Sequence, residues 1–278
     1  MKKVRKILAS PIVTVAAFAL AVGLLLFSSV GGARAALTFF SETYTSDIEM
    51  SEIGVGLVEN GNLTTGTLLA NMLPETDGVK EALQLGKHYT EELKVRNTGS
   101  IDQYVRVNVY KYWKAPEVDN KAGKKQQDLS PDLIGLFLKG QKLEMTEAEG
   151  TMQMSAEAKA ALAGNGWLVD EAACTKERMV LYYSRPIMAA NEEAGTAAGE
   201  SSLFTDKLAI DGSVAKVAEK TPVEGKPGTF RITYVYNDYE FCLDVKVDAV
   251  QDHNAADAIL SAWGRKVSIA ADGTLSLD

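Results

Sequence analysis

A mostly β protein, built as an antiparallel sandwich with one or two short inserted helices, is what this 278-residue chain predicts. Three observations carry the prediction. Apolar and polar residues alternate with period two in segments spread along the chain, as they do in strands with one buried face. Turn-forming clusters separate such segments at Asn97-Thr98-Gly99-Ser100, Asn237-Asp238 and Asp272-Gly273. Helical spacing is confined to two short stretches among the strands, the pattern of a sandwich with insertions.

The first element stands apart from that fold. Lys2, Lys3, Arg5 and Lys6 form a basic start, residues 7–30 carry no charge, and Ala33-Arg34-Ala35 puts small side chains at both positions a signal peptidase reads. This order describes a secretory signal peptide over 1–35, with Ala36 as the first mature residue. The 24 residues of 7–30 are also long enough to span a bilayer as a retained anchor. Pro11, Thr14, Gly23 and the Ser28-Ser29 pair shorten the most apolar part and favour cleavage. Either way Ala36 onward lies outside the cytoplasm, and the membrane is met only through the leader. Removing 1–35 takes away Lys2, Lys3, Arg5, Lys6 and Arg34 and no acid, so the formal charge moves from -8 to -13 over the remaining 243 residues. So acidic a body repels phosphate backbones, which argues against nucleic acid as a partner. Neither an internal repeat nor a low-complexity linker divides 36–278, which reads as a single domain large enough to bury a sizeable core.

Residues 53–58 open the strand series, with apolar side chains at the odd positions. Leu93-Lys94-Val95-Arg96 follows, then the turn at 97–100, lengthened by 101–103, then a strand over 104–113. In that strand Val105, Val107 and Val109 share one face, and Arg106, Asn108 and Lys111 are expected to look outward. Strand, turn and strand read as a hairpin. A short Ala-rich helix is expected at 155–163. Further strands are expected at 180–183, 204–210, 229–236 and 239–250, the last two joined as a second hairpin through Asn237-Asp238. Polar connections fill 114–128 and 189–201. In the second helix Asn254 is the expected cap, with Asp257 three residues on in the manner of a capping box. Ala255, Ala258, Ile259, Ala262 and Trp263 share one side of it, and Gly264 ends it. Residues 267–269 and 274–277 close the chain as a third hairpin.

Residues able to carry chemistry are few. His88 and His253 are the only histidines, and neither stands in a zinc-binding spacing. The sequence has no G-x-S-x-G elbow, phosphate-cradling glycine loop or calcium-loop pattern. Cys174 and Cys242 are the only cysteines; in an exported chain they can form one disulfide or remain separate thiols. Cys242 alternates against Phe241, Leu243, Val245 and Val247, which places it near the surface. Asp47, Glu49, Glu52, Glu59, Asp244 and Asp248 are scattered and read as a solvated acidic face. Tyr104, Tyr110, Tyr112 and Trp113 read as cross-strand packing in preference to a carbohydrate-binding strip. No catalytic residue, metal site or cofactor is expected.

Several segments resemble one family. Ala36-Leu37-Thr38-Phe39-Phe40-Ser41-Glu42-Thr43 after the leader is similar to the A-x-F-S-D/E-T start of TasA/camelysin-like proteins, which Firmicutes export through a dedicated signal peptidase. The stretch from Leu93 to Val107, containing Asn97-Thr98-Gly99-Ser100 and Tyr104-Val105-Arg106-Val107, is similar to the family's V-x-N-T-G-S-x-x-x-Y-V-R-V segment. Arg178-Met179-Val180-Leu181-Tyr182-Tyr183 and Ser202-Leu203-Phe204-Thr205 resemble later family segments. Ala249-Val250-Gln251-Asp252-His253-Asn254-Ala255 resembles the ending of many members. The resemblance runs in order from the leader to near residue 264. It implies a jelly-roll-like sandwich and a place in extracellular fibres or biofilm matrix.

In fibre-forming members of that family the freed N-terminal segment completes the sheet of the neighbouring subunit. The corresponding segment here is 36–45, with Leu37, Phe39 and Phe40 as apolar plugs; the alternative is that it pairs within its own chain. Camelysin itself is described as a metallopeptidase, but no matching zinc motif is present and that activity does not transfer. The expected role is therefore an exported matrix or surface protein whose partners are further copies of itself or related matrix proteins. A secreted adhesin or binding module is the alternative.

Overall fold

The computed structural model describes residues 52–64, 68, 75–76, 79–80, 83–115, 125–126, 129–191, 194–216, 218–222, 230–236 and 239–278. All of them belong to one compact unit, Ser51–Asp278. The signal-cleavage residues Ala33, Ala35 and Ala36 and the donor-strand residues Leu37, Phe39 and Phe40 lie outside the described residues, as does Asn237-Asp238.

The chain is mostly β, and every strand pairing among the described residues is antiparallel, as expected for a sandwich with short helices. A six-stranded sheet runs in the order β2-β1-β5-β14-β8-β9. Its strands are β1 (Val55–Glu59), β2 (Asn62–Leu63), β5 (Tyr89–Asn97), β8 (Ile134–Leu138), β9 (Gln141–Lys142) and β14 (Thr205–Ile210). The second sheet runs β12-β13-β6-β17, with β7 also paired to β6. It contains β6 (Gln103–Lys114), β7 (Lys125–Gln126), β12 (Trp167–Val169), β13 (Arg178–Tyr183) and β17 (Glu240–Gln251). Two-stranded pairs complete the set: β3 (Glu75–Thr76) with β4 (Val79–Lys80), β10 (Met145–Ala148) with β11 (Thr151–Met154), β15 (Ala218–Pro222) with β16 (Phe230–Tyr234), and β18 (Val267–Ile269) with β19 (Leu275–Leu277).

One continuous apolar cluster joins the sheets. The first contributes Leu93, Val95, Leu136, Leu208 and Ile210; the second contributes Val105, Val107, Val109 and Leu181, all with at most 1% of their surface accessible. Burying each such side chain is worth about 1.5–3 kcal/mol relative to leaving it in water. The alternation read from 104–113 therefore gives the inner face correctly for its three valines. Lys111 shares their parity and is a correction to the sequence reading: it points inward and is only 6% exposed.

The hairpin reading of 93–113 is also overturned. β5 and β6 belong to different sheets, and residues 97–103 form an arch that carries the chain across the core. Asn97 holds the arch. Fully buried, it donates from Nδ2 to the Ile101 and Ile187 carbonyls, 2.8 Å each, and accepts at Oδ1 from the Gly99 N–H at 2.8 Å. The arch clamps the lead-in to β1, since Thr98 and Gly99 donate to the Gly54 carbonyl and Ser100 to that of Glu52. A Cβ on Gly99 would stand 2.3 Å from the Glu52 oxygen, so this position admits only glycine. Alternation could not separate the two topologies, because a strand with one buried face reads the same beside its neighbour as across the core from it.

The second hairpin is corrected likewise. β16 pairs with β15, whereas β17 runs beside β6 over its whole length, from Glu240 opposite Lys114 to Gln251 opposite Gln103. The third hairpin, β18 with β19, forms as expected. So do both helices: α1 (Ala156–Ala163), capped by the Ser155 hydroxyl accepting from the Ala158 N–H, and α2 (Ala255–Trp263), closed by Gly264 at φ 69°. Asn254 differs from the expected cap. It sits at φ 53° with no side-chain cap bond, a left-handed conformation that Asn tolerates better than most residues.

Candidate functional site

The edges of the two sheets are where this fold can meet another chain. A free edge presents unpaired N–H and C=O groups, and proteins blunt such edges by keeping them short or charged. Among the described residues the first sheet ends in two-residue strands, β2 and β9, and one edge of the second ends in three-residue β12. The remaining edge is β17, twelve residues long and, among the described residues, paired only to β6.

The register settles which of its backbone groups point away from β6. On β6 the Lys111 N–H goes to the Glu177 carbonyl, and Gln103 exchanges two bonds with Ile187, all on the side away from β17. The odd residues of β6 thus bond away from β17 and the even ones toward it, since successive residues of a strand bond to opposite sides. Even residues of β6 stand opposite even residues of β17. Phe241, Leu243, Val245, Val247 and Ala249 therefore direct their N–H and C=O groups outward from the sheet. The same residues face the core with their side chains: Leu243 is buried and the other four half-buried.

The charges of β17 do not guard that edge, because they are tied back to β6. Asp248 accepts from Arg106 Nε at 3.0 Å, Arg106 Nη2 at 2.6 Å and Asn108 Nδ2 at 3.1 Å. The Tyr112 hydroxyl donates to Asp244 at 2.8 Å, which with burial pushes its own pKa upward, and Lys114 pairs with Glu240 at 3.0 Å. Lys246 lies over the Tyr110 ring at 5.6 Å. Beside the strand opens a groove of about 640 Å³ whose apolar walls include Leu57, Leu68, Phe241, Leu243 and Val245.

The disulfide expectation is corrected: Cys174 and Cys242 are free thiols in this structure. The Cys174 sulfur accepts from the Val180 N–H, on the side of β13 away from β6. Reaching Cys242 means crossing β13 and β6, more than two strand spacings or over ~10 Å, beyond the ~7 Å limit on bridgeable Cα atoms. Burial pushes the Cys174 thiol up to about 11, so it is protonated and unreactive at neutral pH.

The four aromatics of β6 do not form a strip. Trp113 is buried, donates to the Ser130 carbonyl and meets Tyr236 edge-on; Tyr104 is buried with its hydroxyl on the Gly273 carbonyl; Tyr110 and Tyr112 lie half-buried on the outer face. Both histidines are exposed, His88 tilted against Phe137 at 4.4 Å. No cluster of three or more metal-ligating side chains occurs among the described residues.

Two buried ionisable groups were missed by the sequence reading. Glu91, on the inward row of β5, is fully buried beside Glu59; burial first, and the nearby Glu59 carboxylate second, push its pKa up to about 8. Lys111 has an unpartnered ammonium whose pKa burial lowers to about 8. Their odd positions in alternating strands were the signal. Comparison of the chain with known families finds no matching family model, and no curated protein matches it significantly.

Proposed function

We propose that this is an exported structural protein of the cell surface or extracellular matrix, in which residues 36–45 of one copy add as a strand to the β17 edge of the next. The observation that carries the reading is the length of that edge. Twelve residues span ~40 Å, and a ten-residue donor spans ~33 Å, so the whole segment fits within the edge. Main-chain hydrogen bonds to the outward groups of Phe241 to Ala249 supply affinity, and Leu37 and Phe39, on alternate positions, enter the apolar groove as specificity pockets. Phe40, of the other parity, packs on the outer face. A donor and an acceptor on different parts of the molecule make a heterologous contact, which propagates instead of closing. The basic-apolar leader and the resemblance to TasA/camelysin-like proteins support the extracellular setting.

The test compares the chain starting at Ala36 with one starting at Asp47, by size-exclusion chromatography and electron microscopy. The longer chain is expected to form concentration-dependent fibres and the shorter to remain monomeric. Two monomeric proteins at high concentration, or two fibre-forming ones, contradict the reading.

A further inference from the structure

A second surface feature lies apart from the β17 edge, on the outer face of the same sheet beside the end of α2. A cavity of about 300 Å³ opens there, at the lower end of the size range of ligand pockets. Arg106 and Asn108 of β6, Arg178 and Tyr182 of β13, Asp170, and Trp263 and Arg265 at the end of α2 line it. Three guanidinium groups converge on one space in a chain whose formal charge is -8.

The three are not equivalent. Arg106 is neutralised by Asp248 and lies 5.0 Å from the Trp263 ring centroid. Arg265 approaches Asp170, Nε to Oδ2 3.2 Å, yet that Nε makes no hydrogen bond. Arg178 is held by a neutral acceptor, the Ala173 carbonyl, which takes bonds from Nε and Nη2, and no carboxylate pairs with it among the described residues. Its charge is uncompensated. Asp170 is only 4% exposed, and its Oδ1 is buried without a partner. An unfilled carboxylate oxygen in such a place calls for a donor. The cavity thus offers a guanidinium that no carboxylate pairs with among the described residues, two further guanidinium groups, and an aromatic wall where Trp263 meets Tyr182 edge-on at 5.6 Å; Asp170 Oδ1 and Arg265 Nε lie beneath its surface.

We propose that this cavity binds a uronic acid unit of an acidic saccharide. The carboxylate pairs with Arg178 in the planar geometry guanidinium favours. A ring hydroxyl accepts from the part-exposed guanidinium of Arg265 on the cavity wall. The C–H face of the pyranose lies against Trp263. Competing ligands fit less well: phosphate, sulfate and acetate have no ring face to lay against Trp263, and a neutral sugar leaves Arg178 without a counter-charge. The site is independent of strand addition, so its test stands whether or not the protein forms fibres.

The purified protein is titrated with glucuronate, glucose, acetate, inorganic phosphate and an aspartate-rich peptide, followed by calorimetry and by Trp263 fluorescence. Glucuronate is expected to bind at least tenfold more tightly than any of the other four. R178Q is expected to lose at least tenfold in affinity for glucuronate. W263F is expected to lose the fluorescence change. Should R178Q fail to fold, R265Q decides, with at least a threefold loss expected. Acetate, phosphate or peptide binding as tightly as glucuronate overturns the assignment. So does unchanged affinity in a folded R178Q or R265Q, or the absence of glucuronate binding.

Discussion

The two sheets of this protein finish their edges differently. The six-stranded sheet tapers to two-residue strands at both ends, and tight turns fold each back on its neighbour: Asn60-Gly61 before β2 and Lys139-Gly140 before β9, all four residues at positive φ. Two consecutive positive φ values define the type I′ turn, whose twist matches that of paired strands. The second sheet ends on one side in three-residue β12 and on the other in twelve-residue β17, with its acids and Lys246 drawn back onto β6. Edge length and the placement of charge together decide where a sheet is open to another strand. Among the described residues one sheet tapers at both edges and the other has one long open edge.

That edge can be broken in two ways that the register keeps apart. Lys246→Pro removes an N–H that bonds β6 and sets the ring against the ladder, an expected loss of roughly 3 kcal/mol or more by denaturant unfolding. Val247→Pro removes an N–H that points outward, so monomer stability falls by only about 1 kcal/mol while fibre formation stops. Equal stability losses in the two variants would mean that the outward assignment of the odd residues is wrong.

Asn97→Ala tests the arch that joins the tapering sheet to the one with the open edge. It strips the Ile101 and Ile187 carbonyls and the Gly99 N–H of their partner, with an expected cost of about 3 kcal/mol in urea unfolding. A cost below about 1 kcal/mol would show that water replaces the amide there.

The sheets also differ in their buried ionisable groups, an acid on β5 and a base on β6, and pH sharpens the contrast. Glu91 is raised in the folded state, so between its ordinary value of 4.5 and about 8 the unfolded chain ionises first and stability falls as pH rises. Lys111 is lowered from 10.5 to about 8, so its cost is complete below 8 and is relieved as pH climbs to 10.5. Glu91→Gln is expected to remove the decline above pH 4.5 and to add roughly 2 kcal/mol at pH 9. Lys111→Met is expected to stabilise the protein by roughly 3 kcal/mol at pH 6 and by less at pH 10. Denaturant unfolding at the three pH values checks both.

Much of the fold could be read in the sequence. The alternation of Val105, Val107 and Val109, the Ala-rich helix near 155–163 and the Gly264 stop each appear where local chemistry put them. What escaped was non-local. Nothing in Asn97-Thr98-Gly99-Ser100 tells a turn that pairs its flanking strands from an arch that parts them; the difference lies in the buried Asn97 amide meeting Ile187, ninety positions away. β17 pairs with β6 instead of β16 because twelve opposed residues outbid a shorter neighbour. Some local signals were present and unread: Asn60-Gly61, Lys139-Gly140 and Glu149-Gly150 all mark type I′ hairpins. The edge followed from the pairing, so it was invisible until the topology was known, as was the cavity that gathers Arg178, Asp170 and Trp263 from distant segments.

Amide hydrogen exchange along β17 tests the central claim most directly. In the chain starting at Asp47, amides of Phe241, Leu243, Val245, Val247 and Ala249 should exchange fast, and those of Cys242, Asp244, Lys246 and Asp248 slowly. In fibres of the chain starting at Ala36, both sets should be protected. Odd-numbered amides that still exchange fast in the fibres would place the contact elsewhere and contradict the account.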